Sequence, residues 1–197
     1  MGIFGNYFTD NIKNIDNNWV KWFHFGVPDE EGPARDSIRN MLAMLMHCKP
    51  CTALSGCYFA QNNMPKSEDG VSGTLHNNCD CSTKPISNIE TKAFCPIEKF
   101  TKYIFSGKYS ANGKGTLFNL LGFTSKDSVW LKTEYERQAQ LKYSQGEYII
   151  HGRSQYGQDI NITIEMPTPI GKIVQFISGW KVHPLGLITC NTPFADR

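Results

Sequence analysis

The chain has 197 residues, 40% of them hydrophobic and 19% charged, with a formal net charge of +2. This balance excludes a disordered chain and a strongly basic nucleic-acid binder; any cationic surface has to be local. No stretch approaches the ~20 consecutive apolar residues of a membrane span, and the N-terminal MGIFGNYFTDNIKN lacks the basic-then-apolar plan of a signal peptide.

In chain order, NIDNNWVKWFHFG reads as a short helix with Trp19, Trp22 and Phe23 inward. In GPARDSIRNMLAMLMHC, Pro33 suits a first helical turn. Ile38, Leu42, Leu45 and Met46 recur at spacings of three and four, which predicts a helix from Pro33 to His47. Residues 60–75 are polar and rich in Gly and Pro, the composition of a loop.

The second half alternates differently. CPIEKFTKYIF places Ile97, Phe100, Ile104 and Phe105 on one helical face, and a short helix is expected at Thr116–Leu121. SKDSVWLKTEYERQAQLKYSQG predicts the longest helix. Asp127 falls in its first turn, Val129, Leu131, Tyr135, Ala139 and Leu141 supply its apolar positions, and Gly146 stops it. Four β-rich runs follow: EYIIHGRS, QDINITIEMP, KIVQFISGWKVH and LGLITCNTPF. In the second, Ile160, Ile162, Ile164 and Met166 alternate with polar residues, the pattern of a strand with one buried face. The expected fold is α+β. A mostly helical zinc-knuckle module over residues 1–95 precedes a compact antiparallel sheet with helices on one face over residues 96–197.

Five of the seven cysteines lie between residues 47 and 81. An odd count prevents complete pairing, and the absence of a secretory pattern favours a reducing compartment. Cys48 and Cys51 form a CxxC knuckle that can point two thiolates at one ion; His76, Cys79 and Cys81 are candidates for the other places. Tetrahedral structural zinc is the leading expectation, with disulfides and unmetallated thiols as alternatives. Cys57, Cys95 and Cys190 read as buried thiols behaving like small hydrophobes.

Two resemblances add to this. CKPCTALSGCYFAQNNMP…GTLHNNCDC resembles the end of Mu F-like phage head-morphogenesis proteins, with Asn77 where that family has proline. Residues 96–197 resemble the small DUF6883-type domain at the C-terminal tips of bacterial and phage polymorphic toxins. The likeness rests on Gly113–Lys114, Tyr156–Gln158, Gly179–Trp180 and Thr192–Phe194. It implies a fold similar to the compact α+β toxin ribonucleases, tRNases among them. It also implies an RNA substrate, a cognate immunity protein, and action in the cytoplasm of a target or host cell after delivery by a secretion system or virion. The rival expectation is a virion structural or head-morphogenesis accessory protein that binds capsid and has no enzymatic activity.

A metal-independent ribonuclease needs a base for the 2′-OH, an acid for the leaving 5′-oxygen, and a donor that holds the charged phosphorane. His151 and His183 are the imidazoles; Lys114 in NGKGT, with Lys181 and Arg153, supplies cations; Tyr156 can bind a base, and Gln158 beside it is a further candidate catalytic residue. Thr192, carried mainly by the resemblance, is the hydroxyl donor. Each has an ordinary alternative: strand-end surface histidines, turn residues and solvated lysines. Trp180 is expected in the core, and Lys181, next to it, on the opposite face.

Overall fold

The computed structural model describes residues 18–24, 49–67, 70–73, 75–76, 81–106 and 114–194. The helix expected at Pro33–His47 lies outside them. The described N-terminal part is built around a sheet, not a bundle of helices. β1 (Trp19–His24) is its central strand, flanked by β2 (Tyr58–Ala60) and β3 (Cys81–Ile86), both antiparallel. The helix read into NNWVKWFHFG is therefore a strand. Trp19, Val20, Lys21 and Trp22 are all buried, because β1 is covered on both faces. A strand buried on both faces loses the alternation that marks it in sequence, and three aromatic residues at helical spacing then mislead. Among the described residues, the helical contribution of this half is α1 (Lys49–Leu54), which carries Cys51 and Leu54 inward.

The second sheet has five strands in the order β4-β8-β7-β6-β5. Four of them match the expected runs: β5 (Ile149–Ser154), β6 (Gly157–Pro167), β7 (Ile173–Val182) and β8 (Leu187–Thr192). The sheet is mixed, because β4 (Lys92–Phe94) joins its edge parallel to β8. β4 is only three residues long and its apolar content is too low to announce it. Its approach needs Gly186, whose φ is +73° and whose missing Cβ would stand 2.2 Å from the Glu90 carbonyl oxygen.

The alternation in β6 is realised as expected. Ile160, Ile162, Ile164 and Met166 are fully buried on one face, opposite Trp180, Ser178, Phe176 and Val174 of β7. The buried Ser178 hydroxyl donates to the Ile162 carbonyl at 2.8 Å and accepts the Trp180 indole N–H at 2.7 Å, so these two buried polar groups are satisfied.

Helices cover that face. A π-helix (Lys99–Ile104) turns Phe100 and Ile104 inward, and α2 (Lys114–Leu120) does the same with Phe118, which stacks on Phe176 at 4.8 Å between centroids. α3 (Ser128–Ser144) begins after a 3-10 turn in which the Asp127 carboxylate accepts the Thr124 backbone N–H at 2.7 Å. It ends as expected at Gly146 (φ +72°), where Glu147 N–H bonds to Lys142 O and Gly146 N–H to Tyr143 O, a Schellman closure. Its buried stripe is Leu131, Tyr135, Gln138, Ala139 and Tyr143. Val129 and Leu141, expected inward, are exposed, since both lie off that stripe. Among the described residues no helix is long and apolar enough to cross a membrane.

The two sheets are tied together. The Tyr143 hydroxyl donates to Tyr58 O, and the Tyr148 hydroxyl donates to Asn63 O at 2.8 Å while accepting Ala60 N–H at 2.9 Å. Trp19 meets Tyr143 edge-on at 5.5 Å. Buried side chains from both halves form one apolar cluster.

α3 also completes the edge of β6 beyond the last residue paired to β5. There the Gln138 side-chain amide accepts Glu165 N–H at 2.8 Å and donates to Glu165 O. Gln138→Leu leaves both backbone groups unpaired beneath the helix and is expected to cost about 1–3 kcal/mol. Urea denaturation reads this as a lower midpoint at unchanged slope, while Val129→Ala on the exposed side of α3 leaves the midpoint close to wild type.

Candidate functional site

The pairing of β6, β7 and β8 fixes what stands on the face opposite the core. Asp159 pairs with Lys181, and Lys181 with Thr189. Strand alternation turns all three away from Ile160, Trp180 and Ile188. The Asp159 carboxylate Oδ1 accepts the Lys181 ammonium at 2.8 Å and the Asn191 side-chain amide at 2.8 Å, linking three neighbouring strands through one oxygen. Lys181 is largely sheltered, with 16% of its side chain exposed. Its stem passes Gly157, where φ is +123° and an added Cβ would stand 3.2 Å from Val182 O and 3.8 Å from Lys181 Cγ. A glycine is needed there both for the turn and for the lysine's path. The Lys181 ammonium ends 3.5 Å from the Ser154 hydroxyl, which in turn accepts the Tyr156 N–H at 3.2 Å. Tyr156 holds its ring in solvent at 70% exposure.

His183 continues β7 on the same side. Its Nε2 shares a 2.8 Å hydrogen bond with the Thr189 hydroxyl. Burial and then the nearby Lys181 charge hold this imidazole below its ordinary value of 6.5, so it is mainly uncharged at neutral pH. An unprotonated ring beside a fixed ammonium can take a proton while the lysine holds an anion.

Lys114 and Thr192 form a second group. Both donate to the Phe194 carbonyl oxygen, each at 2.9 Å. Thr192 lies across from Gly179, where an added Cβ would meet Thr192 Cγ2 at 3.1 Å. The neighbouring carbonyls are held too, Pro193 O by the Tyr135 hydroxyl at 2.9 Å and Asn191 O by the Lys99 ammonium at 2.6 Å. Lys114 and Thr192 therefore anchor the C-terminal segment whatever else they do.

The six sequence candidates thus divide. His183 stands beside Lys181, and Tyr156 is linked to that lysine through its backbone N–H and Ser154. Lys114 and Thr192 meet at the Phe194 carbonyl, and the Phe194 ring packs on Phe176 of the helix-covered face. Gln158 is on the core side, 1% exposed; its amide donates to the His151, Gly152 and Asp159 carbonyls across the bulge in β5. It shapes the backbone that carries His151 and presents no polar group to the open face. His151 itself is exposed on β5, and Arg153 donates to Leu75 O at 3.4 Å. Asp159, Asn191, Thr189 and Ser154 were not foreseen. Asp159 was legible as facing away from Ile160, but its partners depend on a register that no local pattern encodes.

In the cysteine module, Cys51 Sγ of α1 lies 3.1 Å from His76 Nε2, across 25 residues of chain. Cys81 is buried at the start of β3; Cys48 and Cys79 lie outside the described residues. Thiol and imidazole meeting across a loop fit the donor chemistry of tetrahedral zinc, for which the S···N separation is about 3.5 Å. Cys57 is a core thiol raised far above its ordinary value by burial.

His183 gives a titration test. Folding lowers its proton affinity, so the unfolded chain binds more protons; its contribution to stability is complete above 6.5 and is lost as pH falls below that value toward the folded one. NMR titration is expected to place His183 below 6.5, and Lys181→Met to raise its midpoint. His183→Asn should flatten the loss of stability below pH 6.5. Comparison of the chain with family models, with curated proteins and with solved structures finds no match.

Proposed function

We propose that the open face of the five-stranded sheet handles RNA phosphodiesters, and that the chain is a toxin effector with metal-independent endoribonuclease activity. The observation that carries this reading is the half-buried, uncharged His183 beside the Lys181–Asp159 pair on a polar sheet face. His183 takes the proton of a ribose 2′-OH. The freed oxygen attacks the adjacent phosphorus, a 2′,3′-cyclic phosphate forms, and the 5′-oxygen leaves with a proton. His151, exposed on β5, is the second imidazole this requires. Lys181, oriented by Asp159, stabilises the charge that builds on the phosphate. The exposed Tyr156 ring offers a stacking surface for an unpaired base. Lys114 and Thr192 hold the segment that follows β8 through the Phe194 carbonyl. The resemblance of residues 96–197 to polymorphic-toxin domains supports the same reading and adds tRNA as a substrate and an immunity protein as a partner that covers this face.

Expression in bacteria followed by electrophoresis of total RNA tests it. Discrete RNA fragments and growth arrest are expected. His183→Gln should reduce cleavage by about 10²–10⁴-fold in a protein that still folds. Lys114→Ala and Thr192→Val should weaken cleavage too, but with a measurable loss of stability because both groups anchor Phe194. Intact RNA and harmless expression would overturn the proposal and leave the virion-accessory reading, for which the measurement is co-purification with capsid.

Zinc belongs to the same reading as a structural ion held by Cys51, His76 and further cysteines among Cys48, Cys79 and Cys81. Cys51 and His76 would let such an ion tie α1 to the loop that carries His76. Elemental analysis is expected to find one zinc per chain, and EDTA to lower the melting temperature. A metal-free protein of unchanged stability in EDTA removes the ion from the account.

A further inference from the structure

We propose that Cys95 and Cys190 are a site of reversible oxidation, closing an internal disulfide between the start of the chain's second half and β8 when the protein meets a disulfide oxidant. The pairing follows from register. β4 runs parallel to β8 with Phe94 opposite Thr189, so the next position along brings Cys95 opposite Cys190. Neighbouring strands lie about 4.8 Å apart, inside the ~4.4–6.8 Å window of Cα separations that a disulfide spans. The two thiols already share a hydrogen bond. Cys95 is held in place by its backbone N–H, which donates to Glu136 Oε1 of α3 at 2.9 Å.

The site is closed at rest. Cys95 is 0% and Cys190 3% exposed, and the hydrogen bond that the Cys190 thiol makes to Cys95, together with burial, pushes the Cys190 thiol up, which keeps its reactive thiolate scarce. Access comes through β4, a three-residue strand at the sheet edge with strand pairing on one side only. Short edge strands open at far lower cost than the whole fold. Once β4 opens, Cys95 loses its proton to solvent, attacks the oxidant disulfide and releases one thiol, leaving a mixed disulfide. Cys190, deprotonated in turn, attacks the Cys95 sulfur and releases the second thiol. Two electrons pass from the protein sulfurs to the oxidant, and the two released thiols take up two protons. The bond would staple the edge strand to β8, which carries Thr189 and Asn191 of the polar face.

The test uses the full chain with oxidised glutathione, with and without sub-denaturing urea, followed by non-reducing digestion and mass spectrometry. A Cys95–Cys190 linked peptide is expected, formed faster in urea and removed by dithiothreitol. A loop this long should raise the melting temperature by about 10 °C on closure, and Cys95→Ala and Cys190→Ala should each abolish that rise. Recovery of both cysteines as free thiols, as separate glutathione adducts, or linked to other cysteines would overturn the proposal.

Discussion

The antiparallel ladder between β6 and β7, running from Gln158↔Val182 to Pro167↔Ile173, is the constraint on which the rest depends. It is the longest pairing among the described residues, and one face of it is buried apart from the half-buried Val174. A slip of β6 by one residue would send Ile160, Ile162 and Ile164 to solvent and Asp159 into the core, a loss of several buried aliphatic side chains at roughly 1.5–3 kcal/mol each. The register is thus held by hydrophobic burial. The polar face is its by-product: once the isoleucines are inside, Asp159 and Lys181 have to meet outside.

The same logic explains the helices. α3 lies over the core face and reaches β6 where β5 no longer pairs, so two of its polar side chains act on the β6 backbone. Gln138 substitutes for a missing strand residue, and Lys142 donates to Thr163 O at 2.8 Å. Tyr143 and Tyr148 extend the arrangement to the smaller sheet, since their rings pack in the shared core while their hydroxyls bond to backbone around β2. Burial raises both phenols well above their ordinary range, so they remain neutral donors.

Much of the second half was legible because its periods are clean. β6 alternates, α3 has its glycine stop and the inward Leu131, Tyr135 and Ala139 although Val129 and Leu141 face solvent, and turns separate the last strands. β4 was not legible, since three residues with one buried alanine make no pattern. β1 was misread because a strand covered on both faces has no polar side. Of the candidate site, residue types such as imidazole, lysine and tyrosine were visible, but their grouping was not. Gln158 and Tyr156 are two residues apart in sequence, yet one supports a bulge from inside while the other stands in solvent. The Asp159–Lys181–Asn191 contact joins residues from three strands and exists only after folding.

The edge of the five-stranded sheet formed by β5 has a bearing on how the molecule avoids its own kind. A long flat rim of unpaired peptide groups invites a second chain to dock strand against strand. Here the rim is six residues long, broken by the bulge between Ile150 and Arg153, and the remaining run of β6 is sealed by a side-chain amide. That leaves no straight stretch for templated self-association, even though Ile149 stands exposed along it.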